Sequence, residues 1–367
     1  MIYFDNAATT RLDPLVLKAM LPYFTETYGN PSSIHSPGKK AREAVENARK
    51  VIADKLNALP SEIIFTSGGS ESDNLAIKGV AEAKGKGHII TSSIEHPAVL
   101  NTCRHLEKLG YDITYLPVDK EGFVRAEDLK NTLRKDTILV SIMHANNEIG
   151  TIQPVKEIAR ICHKEGVIFH TDAVQSFTKV PIEGPDLISL SSHKIHGPKG
   201  VGALYVRKGT PIARQIDGGG QEFGLRAGTE NVPGIVGFAE AVRLSTPESI
   251  KKMTELRDYI IDNLLTIPHS RLNGSRTKRL CNNISISFKG VEGESLLLYL
   301  NEEGIAVSTG SACSSKSLKP SHVLTAIGLR PEESRGTIRI SLSRFNTKEE
   351  ADILISAVKK IVNKMRR

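Results

Sequence analysis

Short apolar segments alternate with helical segments from about residue 39 to residue 206, and this alternation restricts the fold more than any other feature. Apolar residues spaced for one face of a helix occupy residues 39–59. Strands that alternate with helices pair mostly in parallel and are covered on both faces. The sequence therefore predicts an α/β fold on a mostly parallel, seven-stranded sheet. Its strands are predicted at residues 63–66, 88–91, 113–116, 138–143, 167–171, 187–190 and 202–206.

The rhythm changes near residues 244–249. The remaining pattern predicts a smaller α+β unit, with helices over 250–265 and 347–364 and strands over 282–288 and 336–342. A chain of 367 residues is also long for one core. We therefore expect a large domain over 16–248 and a small domain formed by 1–15 together with 249–367.

The formal net charge of +8 favours an anionic substrate or an acidic partner. Lysine and arginine are scattered rather than striped, and tryptophan is absent, so we expect no direct nucleic-acid binding. A non-catalytic basic protein that binds RNA is the alternative. No apolar stretch approaches the roughly 20 residues of a membrane span, and the first residues do not resemble a signal peptide. We expect a cytoplasmic protein that does not contact membranes.

The four cysteines differ in their surroundings. Cys103, Cys162 and Cys281 show no metal-ligand spacing, and Cys162 lies on an apolar helix face that predicts a core position. Cys313 instead lies among small hydroxylic residues over 307–317, which cannot build a core. This composition predicts a reactive thiol at Cys313, because a buried structural cysteine prefers apolar neighbours.

Acidic, amide and basic side chains follow two of the predicted strands. Asp172 and Gln175 follow the strand at 167–171, and Ser191, His193 and Lys194 follow the strand at 187–190. Ligands of α/β sheets bind at such strand ends. A lysine that forms a Schiff base and an aspartate that keeps a pyridine nitrogen protonated are what pyridoxal phosphate requires. Ordinary surface charges are the alternative interpretation.

Two glycine-rich turns are typical of backbone that approaches a ligand. In the first, Gly69 and Ser70 lie at a predicted helix start, where backbone N–H groups can bind an anion such as a phosphate. A capped helix without a ligand is the alternative. The second turn spans 218–229 and ends at Thr229, which suggests a close approach to a ligand or a partner subunit. A mobile surface loop is its alternative.

Three further residues suit a flat cofactor and a carboxylate substrate. His96 lies between a predicted strand and a helix, where an imidazole can stack on a ring or carry protons, although helix capping is the simpler explanation. Asn147 lies in an Asn-Asn turn. Arg339 interrupts an alternating strand, and a fixed guanidinium suits a bidentate contact with a carboxylate. An arginine on the strand surface is the alternative.

Taken in chain order, these motifs resemble the cysteine desulfurases of the class-V aminotransferase group, which have the fold-type I architecture. The resemblance begins at residues 3–10 (YFDNAATT), includes 29–35 (GNPSSIH) and covers nearly the whole chain. It implies a homodimer that uses pyridoxal phosphate to remove sulfur from L-cysteine. The products would be L-alanine and a persulfide on Cys313.

The resemblance also implies a role for each candidate residue. Lys194 forms the Schiff base and moves protons, Cys313 accepts the sulfur, and His96 stacks on the ring. The remaining residues hold the cofactor or the substrate: Asp172 at the pyridine nitrogen, Gln175 at the ring hydroxyl, Gly69, Ser70, Ser191 and His193 at the phosphate, Thr229 at the phosphate of the other subunit, and Asn147 with Arg339 at the substrate carboxylate, Asn147 also touching the cofactor.

The serine-rich segment around Cys313 resembles relatives that pass sulfur to an Fe–S scaffold protein or to a tRNA-thiolation enzyme. We expect no resident metal, only a transient contact between Cys313 and an Fe–S cluster. A selenocysteine lyase or an aminotransferase of the same fold is the alternative function. Asn6 and Phe223 depart from the tyrosine and arginine common in relatives, and neither departure removes a named catalytic group.

Overall fold

The computed structural model describes residues 1–309 and 320–366. Within these ranges the chain forms short strands and longer helices in alternation. The strands are β1 (Ile2–Tyr3), β2 (Ile63–Thr66), β3 (His88–Ser92), β4 (Asp112–Leu116), β5 (Thr137–Ser141), β6 (Ile168–Asp172), β7 (Leu187–Ser191), β8 (Gly202–Val206), β9 (Ser270–Leu272), β10 (Asn283–Phe288), β11 (Ile305–Ala306) and β12 (Thr337–Ser341). The helices are α1 (Pro14–Met20), α2 (Pro22–Thr25), α3 (Ser36–Leu56), α4 (Gly69–Lys84), α5 (Pro97–Lys108), α6 (Ala126–Thr132), α7 (Val155–Lys164), α8 (Val232–Arg243), α9 (Pro247–Leu264), α10 (Gly293–Glu302), α11 (His322–Ala326), α12 (Pro331–Arg335) and α13 (Lys348–Met365).

Seven of the strands form one sheet in the order β2-β8-β7-β6-β5-β3-β4. Strand β8 is antiparallel to both of its neighbours, while the other adjacent pairs are parallel. The prediction of an α/β fold on a mostly parallel seven-stranded sheet is thus confirmed. Parallel strands end at the same edge of a sheet, so the residues that follow β3, β5, β6 and β7 are brought together.

Both faces of this sheet are covered by helices, because its strands are apolar on both sides. Ile63 and Phe65 of β2 pack with α3 and α8 on one face, where the buried core also includes Phe238. Ile64 points to the opposite face and packs with α4 and α5. All four residues of β2 are buried, which explains a continuous apolar run without alternation.

Helix α3 differs in its bounds from the helix predicted over 39–59. It begins earlier, because His35 caps its N-terminus and Pro37 occupies the first turn, a position that proline tolerates. It ends at Leu56, since Asn57 adopts the left-handed conformation with φ of 53°. A left-handed residue after the last turn is a common helix stop.

A second, antiparallel sheet has the order β12-β10-β9 and packs against α9 and α13. Strand β1 pairs in parallel with β11, and Phe4 is buried in the same core as Ile338 and Ile340 of β12. The first residues of the chain therefore lie against its last strands. The division into domains over 16–248 and over 1–15 with 249–367 stays a prediction. Among the described helices, none combines the length and apolar character needed to span a membrane.

Candidate active site

A cavity of about 350 Å³ lies where the parallel strands of the large sheet end. Ten of the predicted site residues line it: Gly69, Ser70, His96, Asn147, Asp172, Gln175, Ser191, His193, Lys194 and Arg339. These residues come from six separate stretches of sequence, and the fold brings them to one place. The cavity is therefore the candidate active site.

The acid and the lysine reach this cavity from neighbouring strands. Asp172 is the last residue of β6, and its strand pairs in parallel with β7, which ends at Ser191. A short helical turn over Ser192–Lys194 then directs Lys194 towards the cavity. Asp172 Oδ1 accepts a hydrogen bond of 2.9 Å from the backbone N–H of Val174. Burial raises the pKa of Asp172, whereas His96 and Lys194 act in the opposite direction.

The N-terminal segment provides the nearest partners of the lysine. Lys194 Nζ donates hydrogen bonds of 2.7 Å to the carbonyl oxygens of both Ala7 and Ala8. The same Ala7 oxygen accepts a 3.0 Å bond from Gln175 Nε2. Two consecutive carbonyls thus hold the amine in the cavity and link it to the amide on the neighbouring strand end.

The start of α4 forms a cradle suited to a phosphate. Its 16 residues begin at Gly69, where a Cβ would lie 2.6 Å from Val174 Cγ2, so a larger residue does not fit without movement. Ser191 Oγ is buried and has no hydrogen-bond partner among the described residues. A bound anion requires N–H and O–H donors and enough room to come close to them. The N-terminus of α4, Gly69 and the Ser191 hydroxyl provide these.

Arg339 is held at the other end of the cavity and is only 3% exposed, so the strand-surface interpretation is wrong. Its Nη2 donates a 2.9 Å hydrogen bond to Asp5 Oδ1, and its Nη1 donates a 3.2 Å bond to the carbonyl of Asn147. Its Nε is buried without a partner among the described residues. A buried guanidinium with an unused N–H is prepared for a carboxylate ligand.

His96 lies in the cavity and also caps a helix. Its Nδ1 accepts a 3.1 Å hydrogen bond from the backbone N–H of Ala98 at the start of α5. Because Nδ1 is an acceptor, the neutral ring carries its hydrogen on Nε2. Burial lowers the pKa of His96, so the ring is uncharged near neutral pH. Capping and a site role are thus compatible at this residue.

Two fully buried acids stand beside these residues. Burial raises the pKa of Glu95 to about 8, although Ser92 and the Met143 N–H donate to its carboxyl. Burial likewise raises the pKa of Glu148 to about 7, and Ser321 donates a 2.6 Å hydrogen bond to it. Both groups are largely protonated below those values and add little negative charge to the cavity.

The other two predicted site residues are Thr229 and Cys313. Thr229 is exposed and does not line it, so its predicted role across a subunit interface stays a prediction. Cys313 lies outside the described residues. Cys162 is fully buried in the apolar core around α7, which agrees with its predicted position, and Cys103 and Cys281 are buried as well.

The cavity-lining residues that sequence reasoning missed include Ala7, Ala8, Asp73 and Glu148. The two alanines act through backbone carbonyls, which no side-chain pattern can indicate. Asp73 faces inwards from α4, one turn after Ser70, and this spacing is the only signal that could have identified it. Glu148 directly follows Asn147, but its sequence neighbours do not distinguish it from an ordinary acidic residue in a loop.

A larger, open groove of about 880 Å³ lies beside α7 and residues 181–184. None of the predicted site residues that the structure describes lines it. Its charged side chains include an exposed pair, Lys156 with Glu183, at 2.6 Å. Size alone does not make this groove the active site, because convergent polar groups with shifted pKa values lie in the smaller cavity. The described residues contain no cluster of metal-binding side chains.

Comparison with protein families gives a direct result. Residues 2–354 match the family described as aminotransferase class-V. The chain belongs to the class-V aminotransferases. This class-V aminotransferase is 56% identical over 375 residues to "Cysteine desulfurase IscS" of Methanosarcina thermophila, covering 100% of this chain and 93% of that protein. The protein of the same name from Dictyoglomus turgidum is 55% identical, covering 100% and 95% of the two chains.

Solved structures agree with this relationship. A structure named "NIFS-LIKE PROTEIN" superimposes on the class-V aminotransferase with a TM-score of 0.93 at 44% identity, covering 99% of both chains. Another, named "SspA in complex with cysteine", has a TM-score of 0.85 at 42% identity and covers 95% of this chain and 100% of that one. The resemblance inferred from the sequence motifs is confirmed.

Proposed function

We propose that this protein is a cysteine desulfurase that uses pyridoxal phosphate to move sulfur from L-cysteine to Cys313. The observation that carries the proposal is the convergence of Lys194, Asp172 and Arg339 in one cavity, beside the start of α4 and a Ser191 hydroxyl that has no partner in the described part of the chain. The relatives named cysteine desulfurase, at 56% and 55% identity, support the same activity.

The residues present fit the cofactor at each of its polar groups. The α4 N-terminus with Gly69, Ser70, Ser191 and His193 would hold the phosphate. Asp172 would face the ring nitrogen, whose positive charge offsets the effect of burial on the acid. Gln175 would reach the ring hydroxyl. When bound, the cofactor acts as an electron sink for the charge that develops on a substrate carbon.

The chain's own groups would then orient the substrate and move its protons. Arg339 and Asn147 would hold the carboxylate of L-cysteine, which fixes the Cα–H bond relative to Lys194. Lys194, released from the Ala7 and Ala8 carbonyls, would take the proton from Cα and return one later. His96, neutral and half-buried, would pack against the ring rather than add a second positive charge beside it.

Sulfur transfer requires Cys313 as a thiolate that attacks the substrate sulfur. The Cβ–S bond of L-cysteine breaks as the new S–S bond forms, and the electron pair of the broken bond stays with the carbon fragment. That fragment takes up protons and leaves as L-alanine, while Cys313 keeps the sulfur as a persulfide. A second thiol, from a reductant or an acceptor protein, then removes the sulfur.

We extend the proposal to the partners. The enzyme acts as a homodimer in which Thr229 completes the phosphate site of the partner subunit, in accord with its exposure in one chain. The sulfur passes to an Fe–S scaffold protein or a tRNA-thiolation enzyme in the cytoplasm. No observation favours selenocysteine cleavage or amino transfer over desulfuration.

The decisive experiment measures alanine and sulfide released from L-cysteine in the presence of a thiol reductant and pyridoxal phosphate. The natural protein should release both in equal amounts, and Cys313→Ala and Lys194→Ala should lose this activity. Cys162→Ala is the matched control, because its thiol is buried in the core. Full activity in Cys313→Ala, or no alanine from the natural protein, would contradict the proposal.

A further inference from the structure

Asp73 is a buried acid in the active-site cavity for which the proposed chemistry gives no role. It lies on α4, one turn after the phosphate cradle, and only 1% of its surface is exposed. Its Oδ1 has no hydrogen-bond partner among the described residues. A buried carboxylate without a compensating cation is costly, so the surroundings of Asp73 decide its charge.

The groups that face Asp73 come from β6, from β7 and from the turn after β3. From β6, His170 Nε2 lies 3.7 Å from Asp73 Oδ1. Both ring nitrogens of His170 contact serine hydroxyls, Ser141 at 2.8 Å and Ser189 at 2.9 Å. Burial lowers the pKa of His170 to about 3, so this histidine is neutral.

The remaining neighbours of Asp73 are acids and a hydroxyl. Burial is the main effect that raises the pKa of Asp73, and Asp172 of β6 and Glu95 raise it further. The Ser189 hydroxyl of β7 acts in the opposite direction through a hydrogen bond. Asp172, in contrast, has the Lys194 amine beside it, which favours its anionic form. Of two neighbouring acids, the one beside positive groups ionises and the other keeps its proton.

We propose that Asp73 is a positioning residue that acts through Asp172, remaining a neutral acid so that Asp172 is the only carboxylate facing the ring nitrogen of the cofactor. This inference rests on the proposed function. A protonated Asp73 offers a hydrogen-bond donor inside the cavity wall, where an ionised one would offer only a second negative charge. The ring nitrogen then meets one fixed anion.

Two substitutions separate this role from a purely structural one. Asp73→Asn is neutral, similar in shape and keeps a donor, so it should behave like the natural protein. Asp73→Leu keeps the branched shape of the side chain but removes the donor. Glu95→Gln is the matched control, a buried neutral acid whose carboxyl is already bound by Ser92 and Met143.

The primary measurements are the pH titration of the visible absorption of the cofactor-loaded protein and the dissociation constant of the cofactor. We expect the midpoint for Asp73→Asn to stay within about 0.2 pH units of the natural protein. We expect Asp73→Leu to weaken cofactor binding about tenfold, because the cavity wall then lacks the donor. Glu95→Gln should match the natural protein.

An infrared difference spectrum between the cofactor-free natural protein and Asp73→Asn tests the protonation directly. A protonated-carboxyl band at neutral pH that is missing in the variant supports the inference. A carboxylate band instead, or a midpoint lowered by about one pH unit or more in Asp73→Asn, would show that Asp73 is ionised and overturn it. Unchanged cofactor binding in Asp73→Leu would overturn the positioning role. A natural protein that develops no visible band with pyridoxal phosphate would refute the proposed function, while the infrared result would still report the charge of Asp73.

Discussion

The buried ion pair between Arg49 and Glu222 is predicted to be strongly coupled, and removing either partner should destabilise the fold. Arg49 lies on α3, and Glu222 is the first residue of a short helical turn over Glu222–Gly224. The two guanidinium nitrogens lie 2.7 Å and 2.9 Å from the two carboxylate oxygens. Their side chains are only 4% and 2% exposed, so water cannot replace a lost partner.

The magnitude follows from what each substitution leaves behind. Glu222→Gln leaves the Arg49 charge buried with only the half-exposed Glu46, at 3.1 Å, as an anionic partner, although the amide oxygen can still accept from the Phe65 N–H, now bound at 2.7 Å. Arg49→Met leaves Glu222 with that single donor and removes the bond to the Ile63 carbonyl. Breaking one side of a buried pair costs about 3 to 5 kcal/mol, so we expect about 3 kcal/mol from each variant.

The double variant Arg49→Met/Glu222→Gln should cost about as much as either single one, because neither charge remains buried. The coupling energy would then be about 3 kcal/mol, measured as free energies of unfolding in urea for all four proteins. Losses that add up to within about 0.5 kcal/mol would refute the reasoning. Single losses below about 1 kcal/mol would refute it too, since that is the range of exposed pairs.

Three further predictions concern the cavity and its acids. Ser191→Ala should raise the dissociation constant of the cofactor about tenfold without destabilising the cofactor-free protein, because its hydroxyl has no partner among the described residues; equal binding would contradict the phosphate role. Gly69→Ala should weaken cofactor binding about tenfold, and adding Val174→Ala should restore part of it by removing the 2.6 Å clash. Because burial raises the pKa of Glu95 to about 8, the folded protein holds a proton there that the unfolded chain releases above about pH 4.5. Stability should therefore fall as the pH rises from about 5.5 to 7.5, and Glu95→Gln should flatten this decline in urea titrations at the two pH values, by up to about 1.4 kcal/mol per pH unit.

The large sheet could be predicted from the sequence because its strands carry a strong local signal. All five residues of β6 and of β7 are buried, and short strands that begin with apolar residues and are separated by helical periodicity leave few other architectures. The ends of the helices were harder to predict from the sequence. The stop of α3 depends on Asn57 adopting a left-handed conformation, which the residue permits but does not require.

The site residues that act through their side chains could be predicted from the sequence. The residues that act through backbone carbonyls could not. Asp172 and Lys194 follow strands, and strand ends of a parallel sheet meet by topology. The carbonyls of Ala7 and Ala8, in contrast, reach Lys194 only because β12 holds their segment in place. The sequence could not decide whether Arg339 is buried or on the strand surface. An alternating strand does not reveal that both of its faces are covered.

The pairing of the first residues with the last sheet sets an order of assembly during translation. Ala7 donates its N–H to Ser341 Oγ at 2.8 Å, and Asp5 forms a bridge with Ser341 as well. Domains tend to fold as they leave the ribosome, so the strands up to β8 can form while the last hundred residues are still being made. The segment that holds the lysine amine must wait until β12 has emerged. An unfinished chain therefore presents Asp172 and Lys194 on a formed sheet without the carbonyls that position the amine, and the catalytic centre is completed only as synthesis ends.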